Sequence, residues 1–153
     1  MRFTFRVEGE TQIDRTLLRW ADNLDDATPL WDRLADRFAV AEGRQFASEG
    51  GYGSGGWTPL SPVYAAWKAR SYPGKRILQR TGALFDSLTR RPFGIEVLTA
   101  KAMTVGSGID YGKYHQAGGG SLPQRRPVEL PESERRVWVR YIQNFIRSGE
   151  VVY

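Results

Sequence analysis

The sequence predicts an α+β fold: a small, mainly antiparallel sheet packed with several helices, with long Gly-rich loops between elements. Three observations carry that expectation. Apolar residues recur at helical spacing in several separate stretches, most fully over 28–46 and 131–147. Short runs of β-branched and aromatic residues, closed by turn residues, read as strands. Two segments, 50–56 and 117–127, are rich in glycine or proline and break both patterns. A length of 153 residues suits one domain over 1–153, long enough to bury a hydrophobic core.

Residues 2–7 alternate, placing Phe3, Phe5 and Val7 on one side of a half-buried strand. Thr11, with Asp14 at the third position, predicts the start of a helix whose apolar positions are Ile13, Leu17, Leu18, Ala21 and Leu24. Thr28-Pro29 predicts a second start, a cap followed by a first-turn proline. The long amphipathic helix behind it carries Leu30, Trp31, Leu34, Phe38, Ala41 and Phe46, an aromatic and aliphatic stripe that reads as core.

Residues 50–56, Gly-Gly-Tyr-Gly-Ser-Gly-Gly, follow a helix, and no Gly-Lys-Ser/Thr closes them. They do not match a phosphate-cradling loop and read as a flexible, solvated connector. Ser61-Pro62 then starts a short helix over 63–70, and 71–76 is a turn carrying Lys75 and Arg76. Thr81 is placed to cap a helix with Leu84, Phe85 and Leu88, which Arg91-Pro92 stops. Residues 93–98 and 102–106 predict a hairpin turning near Ala100-Lys101, and 110–116 a helical turn. The second loop, 117–127, reads as exposed. Pro131 opens the last helix, with Glu132 and Glu134 near its positive end and Val137, Tyr141 and Phe145 on its apolar face, joined by Trp138, Ile142 and Ile146. Residues 151–153 have the composition of a short strand.

Hydrophobic residues make up 41% and charged residues 25%, so broad disorder is not expected. There is no cysteine, which excludes a disulfide framework and a thiolate metal site. The amino terminus has no apolar stretch of signal-peptide length, and no run is long enough to span a bilayer, so the chain reads as soluble and free of membrane contact. Net charge is +5 and the pI about 9.7, which permits a polyanionic partner.

The search for catalytic chemistry turns on His115, the one histidine. No nucleophile motif surrounds a strand-to-helix turn, and a lone histidine is short of a zinc ligand set. Asp22, Asp25 and Asp26 cluster at a helix end, where a solvated face is expected. Tyr111, Lys113, Tyr114 and His115 form a conceivable acid–base patch, for which a packing role, with His115 hydrogen-bonded, is the reading preferred. No catalytic residue, cofactor or metal is assigned, and the chain is expected not to be an enzyme.

Three ordered blocks carry further information: Trp57-Thr-Pro-Leu-Ser-Pro-Val-Tyr64, then Ile77-Leu-Gln-Arg-Thr-Gly-Ala-Leu-Phe-Asp-Ser-Leu88, then Val105-Gly-Ser-Gly-Ile-Asp-Tyr-Gly-Lys-Tyr-His-Gln-Ala-Gly118, followed by Leu122-Pro-Gln-Arg-Arg-Pro127. Together they resemble the phage virion morphogenesis, or tail completion, family. That family shows a Trp-x-Pro-Leu-Ser-Pro block, a Leu-x-x-Thr-Gly-x-Leu block, a Tyr-x-x-x-His-Gln-x-Gly block and a Pro-x-Arg segment. The resemblance covers Trp57 to the last helix. It departs where Arg126-Pro127 runs into Val128-Glu129-Leu130, since the family usually continues Pro-Phe-Leu-Gly. It marks Trp57, Pro59, Leu60, Thr81, Gly82, Leu84, Tyr111, His115, Gln116, Gly118, Arg125 and Arg126 as motif or interface residues. It implies a structural component of a tailed-phage virion at the head–tail junction, assembled in the host cytoplasm. The implied partners are copies of itself in a ring, six-fold as a first expectation, other neck, tail-terminator or tail-tube proteins, and passing DNA. Two alternatives remain at this point. One is a basic nucleic-acid-binding module using Lys68, Arg70, Lys75, Arg76, Arg80, Arg125 and Arg126. The other is a small enzyme using His115.

Overall fold

The computed structural model describes residues 10–53 and 55–151. In chain order it contains α1 (Glu10–Asp25), α2 (Thr28–Ala47), α3 (Pro62–Ser71), α4 (Ala83–Thr89), β1 (Ile95–Leu98), β2 (Met103–Gly106), α5 (Gly112–Ala117) and α6 (Glu132–Ser148). The fold is α+β, with 53% helix against 7% strand, so the helices build the core and the sheet is one antiparallel hairpin. Its register pairs Ile95 with Gly106 and Leu98 with Met103. The strand expected over 2–7 lies outside the described residues. Val151 belongs to no strand and packs against the core, and 152–153 lie outside the description.

Helix α2 is the spine. Leu30, Leu34, Ala35, Phe38, Ala41 and Phe46 are all buried, but toward two sides. Leu30 and Leu34 join Ala27 and Phe145 of α6 in one cluster. Ala35, Phe38 and Phe46 join Trp57, Leu84, Leu88 and Phe93 in another. The aromatic rings meet edge to face, Phe38 on Phe93 at 5.4 Å and Phe46 on Trp57 and Phe85 at 5.3 Å each, the geometry favoured by ring quadrupoles.

The helix starts differ in detail from expectation. Thr28 is the first residue of α2 and Ala27 the cap, and it is the Asp26 carboxylate that accepts the Thr28 amide at 2.9 Å. Asp26 lies outside the helix and can turn back on it, which Thr28 cannot. Thr11 lies inside α1 rather than ahead of it. Ser61 does cap α3, accepting the Tyr64 amide at 3.4 Å.

In the hairpin a charged residue of β1 faces inward and its aliphatic neighbours outward. In β1, Ile95 and Val97 are exposed while Glu96 turns inward. The reason is Arg91, which bonds Glu96 and also reaches Asp32 at 2.7 Å and Asp36 at 2.9 Å on α2. The Glu96 carboxylate accepts the Phe93 amide as well, at 3.0 Å. Arg91 holds the Glu96 pKa below the usual carboxylate range.

Two carboxyl groups are buried among the helices. Glu134, in the first turn of α6, takes a hydrogen bond from Arg37 Nε at 2.7 Å and one from the Tyr52 hydroxyl, which bolts α6 to α2 and to the loop behind it. Glu42 on α2 is fully buried and has no comparable partner. The backbone of Glu129 gives it weak support, while the Glu129 carboxylate repels it. Burial pushes its pKa up to about 8. The unfolded chain releases this proton near the ordinary value of 4.5, while the folded chain keeps it until about 8. Stability therefore falls as pH rises through that window, by at most about 1.4 kcal/mol per unit. In urea melts over this range, Glu42→Gln is expected to be more stable than the parent near pH 8, with the gain shrinking towards pH 4.5. A gain independent of pH would contradict the assignment. Leu84 is 1% exposed and lies under Gly112 of α5, so Leu84→Ala should cost about 2–5 kcal/mol in the same melts.

Candidate functional site

One cleft of about 760 Å³ gathers residues from all three sequence blocks. Its walls are Pro59, Leu60 and Ser61 before α3, Tyr64 and Lys68 on α3, Leu78, Arg80 and Thr81 before α4, and Tyr111, His115, Leu122, Pro123 and Arg125 from the α5 region and its following loop. The lining is largely apolar, with cationic side chains and no acidic residue.

Arg125 is the fastener. Its side chain enters the protein to leave the residue 6% exposed, yet it faces no carboxylate. Its Nε donates to the Thr58 carbonyl at 2.6 Å and its Nη2 to the Pro59 carbonyl at 2.9 Å. Residues 57–61 form no regular structure, so their carbonyls need partners from elsewhere, and the guanidinium supplies two donors in a fixed fork. The Arg125 amide donates to the His115 carbonyl at 2.9 Å, tying the loop to α5. Burial lowers the Arg125 pKa, but an arginine remains charged.

Neighbouring motif residues act in the same way. The Trp57 indole donates to the Arg126 carbonyl at 2.9 Å, and Gln45 Nε2 donates to the same oxygen at 3.2 Å. The Gln116 amide pairs with the Val128 backbone in both directions, donating at 2.9 Å and accepting at 3.1 Å. Gly118 has φ of 69°, and a Cβ there would sit 2.9–3.0 Å from Gln124 side-chain and backbone atoms, so a side chain is excluded by both strain and contact. The loop expected to be exposed is therefore open at its tip but buried at Arg125 and Pro127.

Several site expectations need correction. Gly82, not Thr81, caps α4, in the left-handed region at φ 86°. The Thr81 hydroxyl still accepts the Ala83 amide, at a long 3.3 Å. The His115 ring does not hold the loop by a hydrogen bond, since its buried Nδ1 has no partner and the link runs through its backbone carbonyl. The ring packs edge-on against Tyr111 with centroids 6.3 Å apart. Burial, then the Arg125 charge, lowers its pKa, which favours the neutral ring. Tyr111 itself is 43% exposed at the cleft. The first glycine-rich segment is tied to α2, its Gly50 amide reaching the Gln45 carbonyl at 2.8 Å and its Gly53 amide the Gln45 side chain at 2.9 Å. That places local fasteners where an open connector was expected.

The basic residues separate into two groups. Lys68 is buried and donates to the Arg76 carbonyl, and Arg76 donates to the Ala47 carbonyl. Arg126 pairs with Glu129 at 3.6 Å. Lys75 and Arg80 point outward, and Arg70 is exposed with one bond back to Ala66. Three of the seven residues expected on a phosphate-binding face, Lys68, Arg76 and Arg125, thus hold backbone segments together, and Arg126 is in a local ion pair.

Sequence reasoning missed Tyr64, Lys68, Leu78 and Arg80 as cleft walls, because only the tertiary fold brings them together. It missed the polar role of Gln45 for a different reason. Gln45 occupies a position within the buried stripe of α2, and a polar residue there was itself the signal.

The fold and this site define a scaffold domain whose marked side chains fasten backbone segments to one another. The profile of the phage virion morphogenesis family matches residues 9–141, which takes in α1 and α2 as well as the three blocks, and the chain belongs to that family. It is a virion-associated protein with a structural or assembly role. Neither the curated proteins nor the solved structures give a match.

Two substitutions test the fastening. Arg125→Met should destabilise by roughly 2–4 kcal/mol, because it leaves two carbonyls without donors, and hydrogen exchange should quicken at the His115-linked Arg125 amide. His115→Gln should leave both melting and particle yield nearly unchanged; a loss of particles from a stably folded variant would give the ring a chemical role.

Proposed function

We propose that this chain completes the tail or joins it to the head of a tailed phage, as one subunit of a ring, with six copies as the working number. Neighbouring neck, tail-terminator or tail-tube proteins are its partners, and its site is structural rather than catalytic. The observation that carries this reading is the convergence of the motif blocks on one cleft whose strongest polar groups are bonded to backbone carbonyls. A fastened apolar cleft of that kind presents a fixed shape to a neighbour, and pre-organisation lowers the entropy cost of association.

Inactivating the gene should yield filled heads and tails that fail to join, and supplying the chain in trans should restore infectious particles. Normal particles without the chain would refute the proposal. Direct DNA binding would rest on Arg70, Lys75 and Arg80, so its salt dependence should be shallow, with a log–log slope of roughly −3 or less in magnitude. A much steeper slope in a filter-binding titration would favour the nucleic-acid-binding reading.

A further inference from the structure

Helix α1 is turned unusually for an amphipathic helix. Its half-buried residues toward the body are Thr16, Trp20 and Asn23, and Asn23 bonds the Ile146 carbonyl of α6 at 2.9 Å. Its aliphatic residues face solvent: besides Leu18 at 64%, which lies further round the helix, Ile13 is 61% exposed, Leu17 53% and Leu24 43%. At 3.6 residues per turn these three and Ala21 fall within one sector of about 80°. Asp14 and Asp25 border that sector on its solvent side, Asp25 already paired with Lys101 at 2.9 Å, while Arg15 and Arg19 lie on the far side of the helix. The result is an apolar stripe with an acidic edge.

The cleft described above is its chemical complement. Its floor is apolar, its charged walls are cationic, and no acid lines it. Arg80 is exposed at the rim, and no hydrogen bond among the described residues uses Nη1 of the buried Arg125. The two surfaces cannot meet within one chain as folded, because α1 packs on α6 and has no substantial contact with α3 or α5, which wall the cleft.

We infer that the α1 stripe of one copy docks across the cleft of the next, its aliphatic side chains entering the cleft and its acidic edge facing Arg80 and Arg125. This rests on the subunit-in-a-ring reading and names the contact that would build the ring. The mode is helix-in-groove, with anchors at i, i+4 and i+11. Because donor and acceptor are different surfaces, the contact is heterologous, and such contacts continue from copy to copy until they close.

The chain has no cysteine, so engineered thiols report without background. Leu17→Cys and Leu122→Cys chains, purified full length and mixed under mild oxidation, should form a mixed disulfide dimer, and the doubly substituted chain a ladder. Adding the exposed change Arg80→Glu should lower the cross-linking rate by about tenfold. Dimers of Leu17→Cys with itself would mean a symmetric helix pair and would overturn the proposal. So would the absence of a mixed link up to millimolar protein while each variant melts like the parent. Incorporation of the parent chain into purified virions is scored separately. Incorporation without the Leu17–Leu122 link sinks the interface and leaves the virion role standing, whereas a link without incorporation sinks the role and leaves the interface.

Discussion

Everything in this fold leans on the width of the buried face of α2. A surface helix hides a stripe of roughly 100°. Here the buried positions Leu30, Leu34, Ala35, Phe38, Ala41, Glu42, Gln45 and Phe46 spread across about 160° of the helix. One neighbour cannot cover such an arc. The helix therefore needs α6 on the Leu30 and Leu34 side and α4, with the hairpin, on the Phe38 and Phe46 side. Each fully buried aliphatic or aromatic side chain contributes on the order of 1.5–3 kcal/mol, which is why this helix can organise layers that are short and marginal alone.

That width also draws polar residues inside. Gln45 is turned to use, bonding the Arg126 carbonyl on one side and the Gly53 amide on the other. Glu134 is matched by Arg37 and Tyr52. Glu42 is the exception, a carboxyl kept neutral by burial. The core and the cleft are consequently joined: Trp57 packs on Phe46 in the core and bonds the Arg126 carbonyl, next in the chain to Arg125 of the cleft wall. A change in α2 is felt at the cleft through that pair.

The cleft shows why a basic chain need not present a basic face. Lys68, Arg76 and Arg125 look like candidates for phosphate contact in the sequence, yet each donates to a backbone carbonyl, Lys68 and Arg125 in segments without regular structure and Arg76 at the last residue of α2. Long loops leave many carbonyls unpaired, and arginine, with five donors, satisfies several at once. A virion-associated domain with long irregular segments has a use for arginine that is independent of nucleic acid.

Much of the fold could be read from spacing alone. The extents of α2 and α6, the hairpin, the Ser61 cap and the burial of Leu84 and Leu88 follow from periodicity and local capping, which are properties of neighbouring residues. The three motif blocks were legible too, as an ordered resemblance. Other features were settled by residues far apart in the chain. The inward turn of Glu96 depends on Arg91 and the acids of α2, and the link from His115 to the loop runs through its backbone carbonyl, which takes the Arg125 amide, and not through the buried ring nitrogen Nδ1. The outward face of α1 depends on how it packs on α6, where Asn23 bonds the Ile146 carbonyl and the leucines stay exposed. The sequence determined which residues form helices and which stripe on each is apolar. Only the tertiary structure decided which side of each stripe is covered, because burial is shared among elements and the partner surface is not encoded in the spacing of any one of them.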